Sequence, residues 1–322
     1  MSARACFALS AVVLLTLPGS RVRADAFPAI LSVGAVRALV ISPHPDDATL
    51  AAGGLMQRIT QSGGSVRVIQ MTGGDAFPRG VTTLNPRVRP SPTSYRRYGS
   101  IREREAIRAL HRLGIGRSRV RLLGYPDEGL CLLAGAERAD LPFVSPYTAR
   151  EAPPSSEQLI PGAMYRREDL VHELSALMMA IRPTLIVMPH CGDQHPDHCA
   201  THLLVHEALR QALDAGLRPP RLLHFILHYP NWPAGGDVDA PLAPPSGGHA
   251  ADWEWSTLPL TAAERAVKSH ALDAYRSQVM VMADFFKAFE RPNELFIEGE
   301  APAPFPCWCN GQNISTVASG GQ

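Results

Sequence analysis

Short apolar stretches alternate with longer stretches of helical periodicity along most of the chain. Residues 36–41 (VRALVI) are apolar and rich in branched side chains, which predicts a buried strand. Residues 48–59 follow with apolar positions at helical spacing, and the same succession recurs to about residue 297. Strands that alternate with helices predict an α/β fold, in which a mostly parallel sheet is covered on both faces. We therefore expect a single domain of Rossmann-like, three-layer architecture.

The predicted elements follow from this periodicity and from helix stop signals. The predicted strands are 36–41, 65–72, 119–123, 184–188, 222–227 and 294–297. The predicted helices are 48–59, 101–113, 168–181, 200–215 and a last helix that runs from a Thr261 cap towards Phe289. Three Pro- or Gly-rich stretches, 76–94, 128–163 and 230–260, are predicted to be long loop insertions.

The two ends of the chain differ from the rest. Residues 1–26 combine an early Arg4, an apolar run at 7–17 and an Ala-Asp-Ala cleavage pattern, which predicts a signal peptide. That run is too short to favour a stable membrane span. We expect an exported protein, periplasmic or extracellular, with a folded domain at 27–300 and a poorly ordered tail at 301–322.

Charge and cysteine content narrow the possible partners. The formal net charge of +1 gives no basic footprint for nucleic acid. Beyond the predicted signal peptide there are five cysteines, Cys131, Cys191, Cys199, Cys307 and Cys309. An odd number cannot all pair internally; export allows one or two disulfides, but the sequence does not assign them, and the last two cysteines are either a tail cross-link or free thiols.

Polar clusters stand where the predicted strands end. The clearest are His44-Pro45-Asp46-Asp47 after the first strand and His195-Pro196-Asp197-His198 after the fourth; Asp75 and Asp127 follow the second and third strands. In parallel sheets, ligands bind outside the carboxyl ends of the strands. These clusters should therefore meet at one edge of the sheet.

The residue types in these clusters suit a zinc hydrolase. Catalytic zinc takes three protein ligands from His, Asp and Glu, and the first turn supplies His44 and Asp47 while the fourth supplies a histidine. Asp46 would then be free to accept a proton from a water molecule that the metal acidifies. Of His195 and His198, one would bind the metal and the other would act as acid, oriented by Asp197. This chemistry is amide hydrolysis, although the ligands also suit Fe(II), Co(II) and Mn(II).

The two His-Pro-Asp motifs together resemble those of the PIG-L/LmbE-like zinc de-N-acetylases, which remove acetyl groups from N-acetylglucosamine-type sugars. The resemblance extends from about residue 36 to 297. Further matching positions are Gly53-Gly54, Arg102, Glu105, Leu113-Gly114, Leu123 to Asp127, Lys268, Ala271-Leu272 and Tyr275 to Gln278.

The resemblance implies a role for each matching residue. Zinc would be bound by His44, Asp47 and His198, with Asp46 as general base. His195, oriented by Asp197, would polarise the carbonyl or protonate the leaving amine. Arg102 and Asp127 would contact the sugar or its aglycone. The chain departs from the family at Ala48, where members commonly have Glu, and this puts local support of the site in doubt.

Other interpretations remain open at this stage. The substrate would be an amino-sugar conjugate or glycolipid; the alternatives are a zinc amidase for a non-sugar acyl amide and a non-catalytic, metal-containing glycan-binding protein. A pure binder has no need of Asp46, which argues against the last. His198, His202 and His206 recur every four residues, but we interpret His202 and His206 as ordinary helix-face residues. The oligomeric state is open.

Overall fold

A computed structural model describes residues 22–23, 36–87, 89–135, 141–233, 235–299, 307–309 and 312–313. Apart from Val22–Arg23, the predicted signal peptide at 1–26 lies outside these residues. So does most of the tail predicted at 301–322.

The described residues form ten strands and eight helices. The strands are β1 (Val22–Arg23), β2 (Arg37–Ser42), β3 (Ser65–Thr72), β4 (Val120–Tyr125), β5 (Leu185–Pro189), β6 (Arg221–Phe225), β7 (Trp255–Pro259), β8 (Asn293–Glu298), β9 (Trp308–Cys309) and β10 (Gln312–Asn313). The helices are α1 (Asp47–Gln61), α2 (Pro78–Leu84), α3 (Pro92–Arg112), α4 (Leu130–Gly135), α5 (Arg167–Ile181), α6 (Pro196–Asp214), α7 (Ala262–Leu272) and α8 (Arg276–Ala288).

Eight strands form one sheet in the order β1-β7-β8-β6-β5-β2-β3-β4. β8 is antiparallel to both of its neighbours, and the other pairs are parallel. The central strands are buried on both faces: every residue of β5 is buried, as are five of the six residues of β2. Separate apolar clusters lie on the two sides of the sheet, one including Val40 and Leu55, the other including Leu39 and Leu204. The predicted α/β class with a mostly parallel sheet is confirmed.

All three predicted loops contain regular structure, and the stretch predicted as a loop at 128–163 contains α4. β7 lies within the stretch predicted as a loop at 230–260 and pairs with β8 over five positions, from Trp255 opposite Ile297 to Pro259 opposite Asn293. The stretch predicted as a loop at 76–94 contains α2 and the first turn of α3, which begins with a Ser91 capping box. The short β7 and the polar start of α3 give little hydrophobic periodicity, so sequence patterns missed them.

The predicted helix from Thr261 towards Phe289 is wrong in one respect, because it is two helices. The Thr261 cap is present, but the helix ends at Leu272 and α8 begins at Arg276. Tyr275 lies at the break with non-helical backbone angles. Its fully buried hydroxyl donates to the carbonyl of Pro45 at 3.1 Å, and this distant contact ties the break to the turn after β2.

Two disulfides attach the described part of the tail to the helical layer. Cys131 on α4 pairs with Cys309, and Cys199 on α6 pairs with Cys307, while Cys191 is a buried free thiol. Both tail cysteines are buried. Of the two readings left open by the sequence, the tail cross-link is therefore the correct one.

None of the helices within the described residues is long and apolar enough to cross a membrane.

Candidate metal and hydrolase site

The turn between β2 and α1 is shaped by its own polar side chains. The hydroxyl of Ser42 donates to the carbonyl of His44 at 2.5 Å and accepts the amide of Ala48 at 3.1 Å. The backbone amide of His44 donates to the carboxylate of Asp47 at 2.7 Å. Asp46 occupies the N-cap position, but its side chain makes no capping hydrogen bond. The turn therefore keeps the carboxylate of Asp46 available for another contact.

Three of the predicted ligands converge at this turn. His44 Nδ1, Asp47 Oδ2 and His198 Nε2 form a triangle in which each pair of atoms is 3.2 Å apart. All three side chains are buried. Ligand atoms on a tetrahedral zinc ion, at about 2.0–2.2 Å from the metal, lie about 3.3–3.5 Å from one another. The triangle thus fits one face of a tetrahedral zinc site, with the usual donor types.

Other ligand combinations at the same place are less compact. His44, His195 and His198 bring one ligand atom each within 4.8 Å of one another, and so do His44, Asp127 and Asp197. The second combination would use Nε2 of His44, which lies on the opposite side of the imidazole from the triangle. The shorter and equal distances favour His44, Asp47 and His198.

Asp193 fixes the orientation of His198. Its Oδ2 lies 3.1 Å from Nδ1 of His198, which directs Nε2 of that ring towards Asp47. The same carboxylate accepts backbone amides from His195 at 3.0 Å, Leu227 at 2.7 Å and His228 at 3.2 Å. A carboxylate beside the far nitrogen of a ligating imidazole is the usual second layer of a metal site, since it selects the tautomer and raises the basicity of the ligand.

The surrounding carboxylates favour a positive charge at the triangle. Burial opposes protonation of His198, but Asp193 and Asp47 outweigh it and raise the pKa of His198 to about 9. Burial also opposes protonation of His44, but Asp47, Asp127 and Asp197 outweigh it and raise the pKa of that imidazole. The pKa of Asp47 is lowered because the two histidines outweigh its desolvation. A cavity that stabilises a proton in this way also stabilises a cation.

Arg102 lies inside the site, against the predicted base. Its guanidinium donates to Oδ1 of Asp46 at 2.9 Å and to the carbonyl of Gly74 at 2.5 Å, and both charged side chains are buried. Gly74 has a positive φ of 61°, and a Cβ atom there would lie 2.1 Å from the guanidinium, so the contact requires glycine. Arg102 was predicted to contact the substrate. In the structure it is a buried partner of Asp46.

Asp127 is also a partner of the metal triangle. Its Oδ1 lies 3.2 Å from Nε2 of His44, and its Oδ2 accepts the backbone amide of Ala76 at 2.6 Å. Burial raises the pKa of Asp127, but contacts with His44 and Arg102 outweigh it and bring the pKa to about 2. The resemblance implies that Asp127 contacts the substrate, which stays a prediction; in the structure this buried carboxylate lies beside Nε2 of His44, where it selects the tautomer of that imidazole.

His195 is held by Asp197, through the backbone amide of that residue. The amide of Asp197 donates to Nδ1 of His195 at 3.2 Å. The carboxylate of Asp197 instead accepts the amides of Glu128 and Cys131, at 2.7 and 3.3 Å, and lies 3.8 Å from Nε2 of His44. Burial, then His44 and His198, lower the pKa of His195, so the ring is neutral and its Nε2 carries the hydrogen.

Sequence analysis missed two residues of this site. Asp193 stands in the polar run after β5, two residues before His195, and its proximity to the second motif was the available signal. His228 follows β6; its ring lies 5.0 Å from that of His198 and 5.3 Å from that of His195, and it stacks on Phe285. The rule that sites lie at the carboxyl ends of parallel strands, applied to β6, would have pointed to His228.

The fold and the site define an α/β protein whose polar centre lies at the carboxyl edge of a parallel sheet. A family model described as PIG-L: GlcNAc-PI de-N-acetylase matches residues 39–209, which is more than half of the chain and includes both His-Pro-Asp motifs. The chain belongs to this family, as its resemblance predicted.

Individual relatives are more distant. The mycothiol S-conjugate amidase of Streptomyces coelicolor is 27% identical over 189 residues, which cover 57% of this chain and 55% of that protein. A 1D-myo-inositol 2-acetamido-2-deoxy-alpha-D-glucopyranoside deacetylase of Saccharomonospora viridis is 27% identical over 270 residues, covering 77% of this chain and 87% of the relative. The chain spans about half the length of most curated relatives it matches.

Solved structures share the fold. The A40926 pseudoaglycone deacetylase Dbv21 superimposes with a TM-score of 0.51 over 82% of this chain and 96% of that chain, at 23% identity. At this identity the likeness concerns the architecture alone.

Proposed function

We propose that this protein is a metal-dependent hydrolase that removes an N-acetyl group from an amino-sugar conjugate. The observation that carries the proposal is the triangle of His44, Asp47 and His198 at 3.2 Å spacing, with the carboxylate of Asp46 one residue away and outside the ligand set. A protein that only binds a glycan could use the metal ligands, but it would have no use for the Asp46 carboxylate beside them.

Zinc is the metal we propose, held by His44, Asp47 and His198. Two imidazoles and one carboxylate match the donor sets of catalytic zinc, and they leave one position open. When bound, the ion would supply Lewis-acid chemistry, polarising a carbonyl group and acidifying water. Co(II), Fe(II) and Mn(II) suit the same donors and are tested by reconstitution.

Asp46 is the proposed general base. Its Oδ1 accepts a hydrogen bond from Arg102, so the carboxylate is held in one orientation and its second oxygen remains for the attacking water. Arg102 thus acts through Asp46, as a positioning residue. The contact with the equally buried Arg102 offsets part of the cost of removing the Asp46 side chain from water.

His195 is proposed to bind the carbonyl oxygen of the amide. Its Nδ1 is occupied by the Asp197 amide, which leaves Nε2–H as a donor. The ring centroid lies 4.5 Å from that of His44 and 5.0 Å from that of His198, close to the triangle. A fixed, neutral donor at this place would stabilise the oxyanion that develops when water attacks. The leaving amine would take its proton from Asp46, which accepts one from the attacking water.

The substrate class is supported by relatives. The deacetylase from Saccharomonospora viridis acts, by its name, on an acetamido sugar linked to inositol. Arg102 and Asp127 also contact Asp46 and His44, so any contact they make with the sugar would be made from inside the site. We propose an N-acetylglucosamine-type conjugate, and a non-sugar acyl amide is the alternative that the experiment separates.

Export is the proposed location. It is supported by the signal-peptide pattern at 1–26 and by two disulfides that attach Cys307 and Cys309 to the fold, since such bonds persist in oxidising compartments. Cell fractionation of the full chain, with N-terminal sequencing of the mature form, tests it; a cytoplasmic protein with an intact N-terminus would contradict it.

Acetate release is the test of activity. Zinc-loaded protein is incubated with N-acetylglucosaminyl conjugates and, in parallel, with N-acetyl amino acids and acyl anilides. We expect acetate from the sugar conjugates, loss of activity after chelation, and recovery on adding Zn²⁺. Turnover of the non-sugar amides alone would replace the substrate class. Metal binding with sugar binding but without acetate release from any substrate would favour the glycan-binding alternative.

A further inference from the structure

A second group of histidines lies along α6, beyond the site described above. His202 and His206 follow His198 at intervals of four residues, so they lie one and two turns further along the same face, at a rise of about 6 Å each. His224 reaches the same place from β6. One ring nitrogen from each of His202, His206 and His224 lies within 4.8 Å of the others.

Two of the three rings, those of His202 and His224, are held in the neutral form that binds metals. Nδ1 of His202 lies 3.1 Å from the carbonyl of Pro189, to which it must donate, so the lone pair is on Nε2. This is the tautomer that backbone carbonyls select in metal-binding histidines. Burial lowers the pKa of His202 and of His224 well below the ordinary value, and neighbouring imidazoles lower them further. Neither ring is therefore protonated at neutral pH.

His224 is the strongest indication that a ligand belongs here. The residue is fully buried, and within the described part of the chain neither of its ring nitrogens makes a hydrogen bond of normal geometry, although the backbone of Ile297 on β8 interacts with the ring. A buried polar group without a partner destabilises the folded state, because it has lost its hydrogen bonds to water. Such groups are rare in native proteins and call for an explanation, such as an ion.

A fourth histidine, His190, lies beside the cluster but is not one of the proposed ligands. The backbone amide of Gly192 donates to Nδ1 of His190 at 3.1 Å, so the neutral ring carries its hydrogen on Nε2 and has no lone pair left for a metal. Its ring packs against Trp253, with centroids 4.4 Å apart, and lies 5.6 Å from the ring of His224. His190 therefore packs against the cluster without providing a ligand.

We propose that His202, His206 and His224 bind a second divalent transition-metal ion, separate from the metal of the hydrolase site. Three imidazoles suit Zn²⁺, Cu²⁺, Ni²⁺ or Co²⁺, and the lack of a carboxylate among them disfavours Mg²⁺ and Ca²⁺. The i,i+4 pair on a helix is a spacing that zinc sites use. His206 is half-buried and provides the route from solvent. Small rotations of the rings bring nitrogens within 4.8 Å to ligand spacing.

Metal stoichiometry tests this proposal independently of catalysis. The full chain is stripped with chelator, reloaded with Zn²⁺, desalted and measured by mass spectrometry. We expect about two zinc ions per chain for the wild type, and about one for His206→Ala and for His198→Ala, which each remove one ligand set. His172→Ala, an exposed histidine on α5, is the matched control and should retain about two ions, as wild type does.

X-ray absorption spectroscopy identifies the site that holds the ion remaining in each variant. In His198→Ala reloaded with zinc, X-ray absorption should show outer-atom scattering from three imidazoles, whereas in His206→Ala it should show scattering from two. This measurement decides the proposal even if His206→Ala folds poorly by circular dichroism. A single ion in the wild type, unchanged in His206→Ala and lost in His198→Ala, would overturn the second site and leave the hydrolase site intact. A single ion in the wild type that is lost in His206→Ala and kept in His198→Ala would support the second site and contradict zinc binding at the hydrolase site.

Discussion

Replacing Asp193 by Asn should weaken metal binding at the hydrolase site without removing a ligand. The carboxylate of Asp193 lies 3.1 Å from Nδ1 of His198 and accepts three backbone amides. Asn retains one acceptor oxygen. If that oxygen takes the place of Oδ2, it keeps the contacts to His198, Leu227 and His228, while the new amide group faces the backbone N–H of His195.

The magnitude follows from these contacts. The backbone N–H of His195 loses its acceptor, and the other contacts are made to a neutral amide oxygen instead of a charged carboxylate. We therefore expect a loss of about 2–4 kcal/mol in the free energy of unfolding. Substituting the partner of a ligating imidazole typically weakens metal affinity by about 10–100-fold. Since the folded environment lowers the pKa of Asp193, its contribution to stability is present above the ordinary aspartate pKa and is lost as the pH falls through the folded value. The difference between variant and wild type should therefore shrink in acid.

The assay is a zinc competition titration at pH 7 with a chromophoric chelator, next to thermal unfolding. Asp214→Asn, an exposed carboxylate at the end of α6, is the matched control and should behave as wild type. An Asp193→Asn variant that folds and binds zinc as tightly as the wild type would refute the role assigned to Asp193, and with it the reasoning that His198 is held for a metal.

Two further predictions concern stability. Replacing both Cys307 and Cys309 by Ala removes both disulfides and should lower the free energy of unfolding by about 2–5 kcal/mol; a reductant should destabilise wild type similarly and the variant no further, and equal sensitivity of both would contradict this. Burial, with nearby Glu157 and Asp75, raises the pKa of Glu103 from 4.5 to about 8, so the folded state binds this proton more tightly and loses stability as the pH rises through that interval. Glu103→Gln should raise the unfolding temperature at pH 9 and leave it nearly unchanged at pH 5; equal shifts at both would disprove the assignment.

The part of the site that lies within short segments could be predicted from sequence. His44 and Asp47 are three residues apart on a turn between a strand and a helix, and the second motif occupies the same position after β5, so the sheet rule brought them together. Hydrophobic periodicity likewise located the central strands, because parallel strands buried on both faces are continuously apolar.

Contacts between distant segments could not be predicted. Arg102 meets Asp46 only because Gly74 lets the guanidinium approach, and no local pattern records that approach. The carboxylate of Asp197 accepts the backbone amides of Glu128, just before α4, and Cys131, within α4, and no local sequence pattern brings those donors to it. The histidine cluster on α6 depends on His224 from β6, so the i,i+4 spacing alone gave no reason to distinguish it from an ordinary helix face.

The most direct test of the account compares wild type with Asp46→Asn in metal content and in acetate release from N-acetylglucosamine conjugates. Asn preserves the shape next to Arg102 but removes the base. We expect both proteins to bind the same amount of zinc at the hydrolase site, and kcat/KM of the variant to fall by about 10²–10⁴-fold, which is the usual contribution of a general base. A variant that binds zinc and keeps its activity within a few-fold of wild type would contradict the central claim that Asp46 activates water beside the metal triangle.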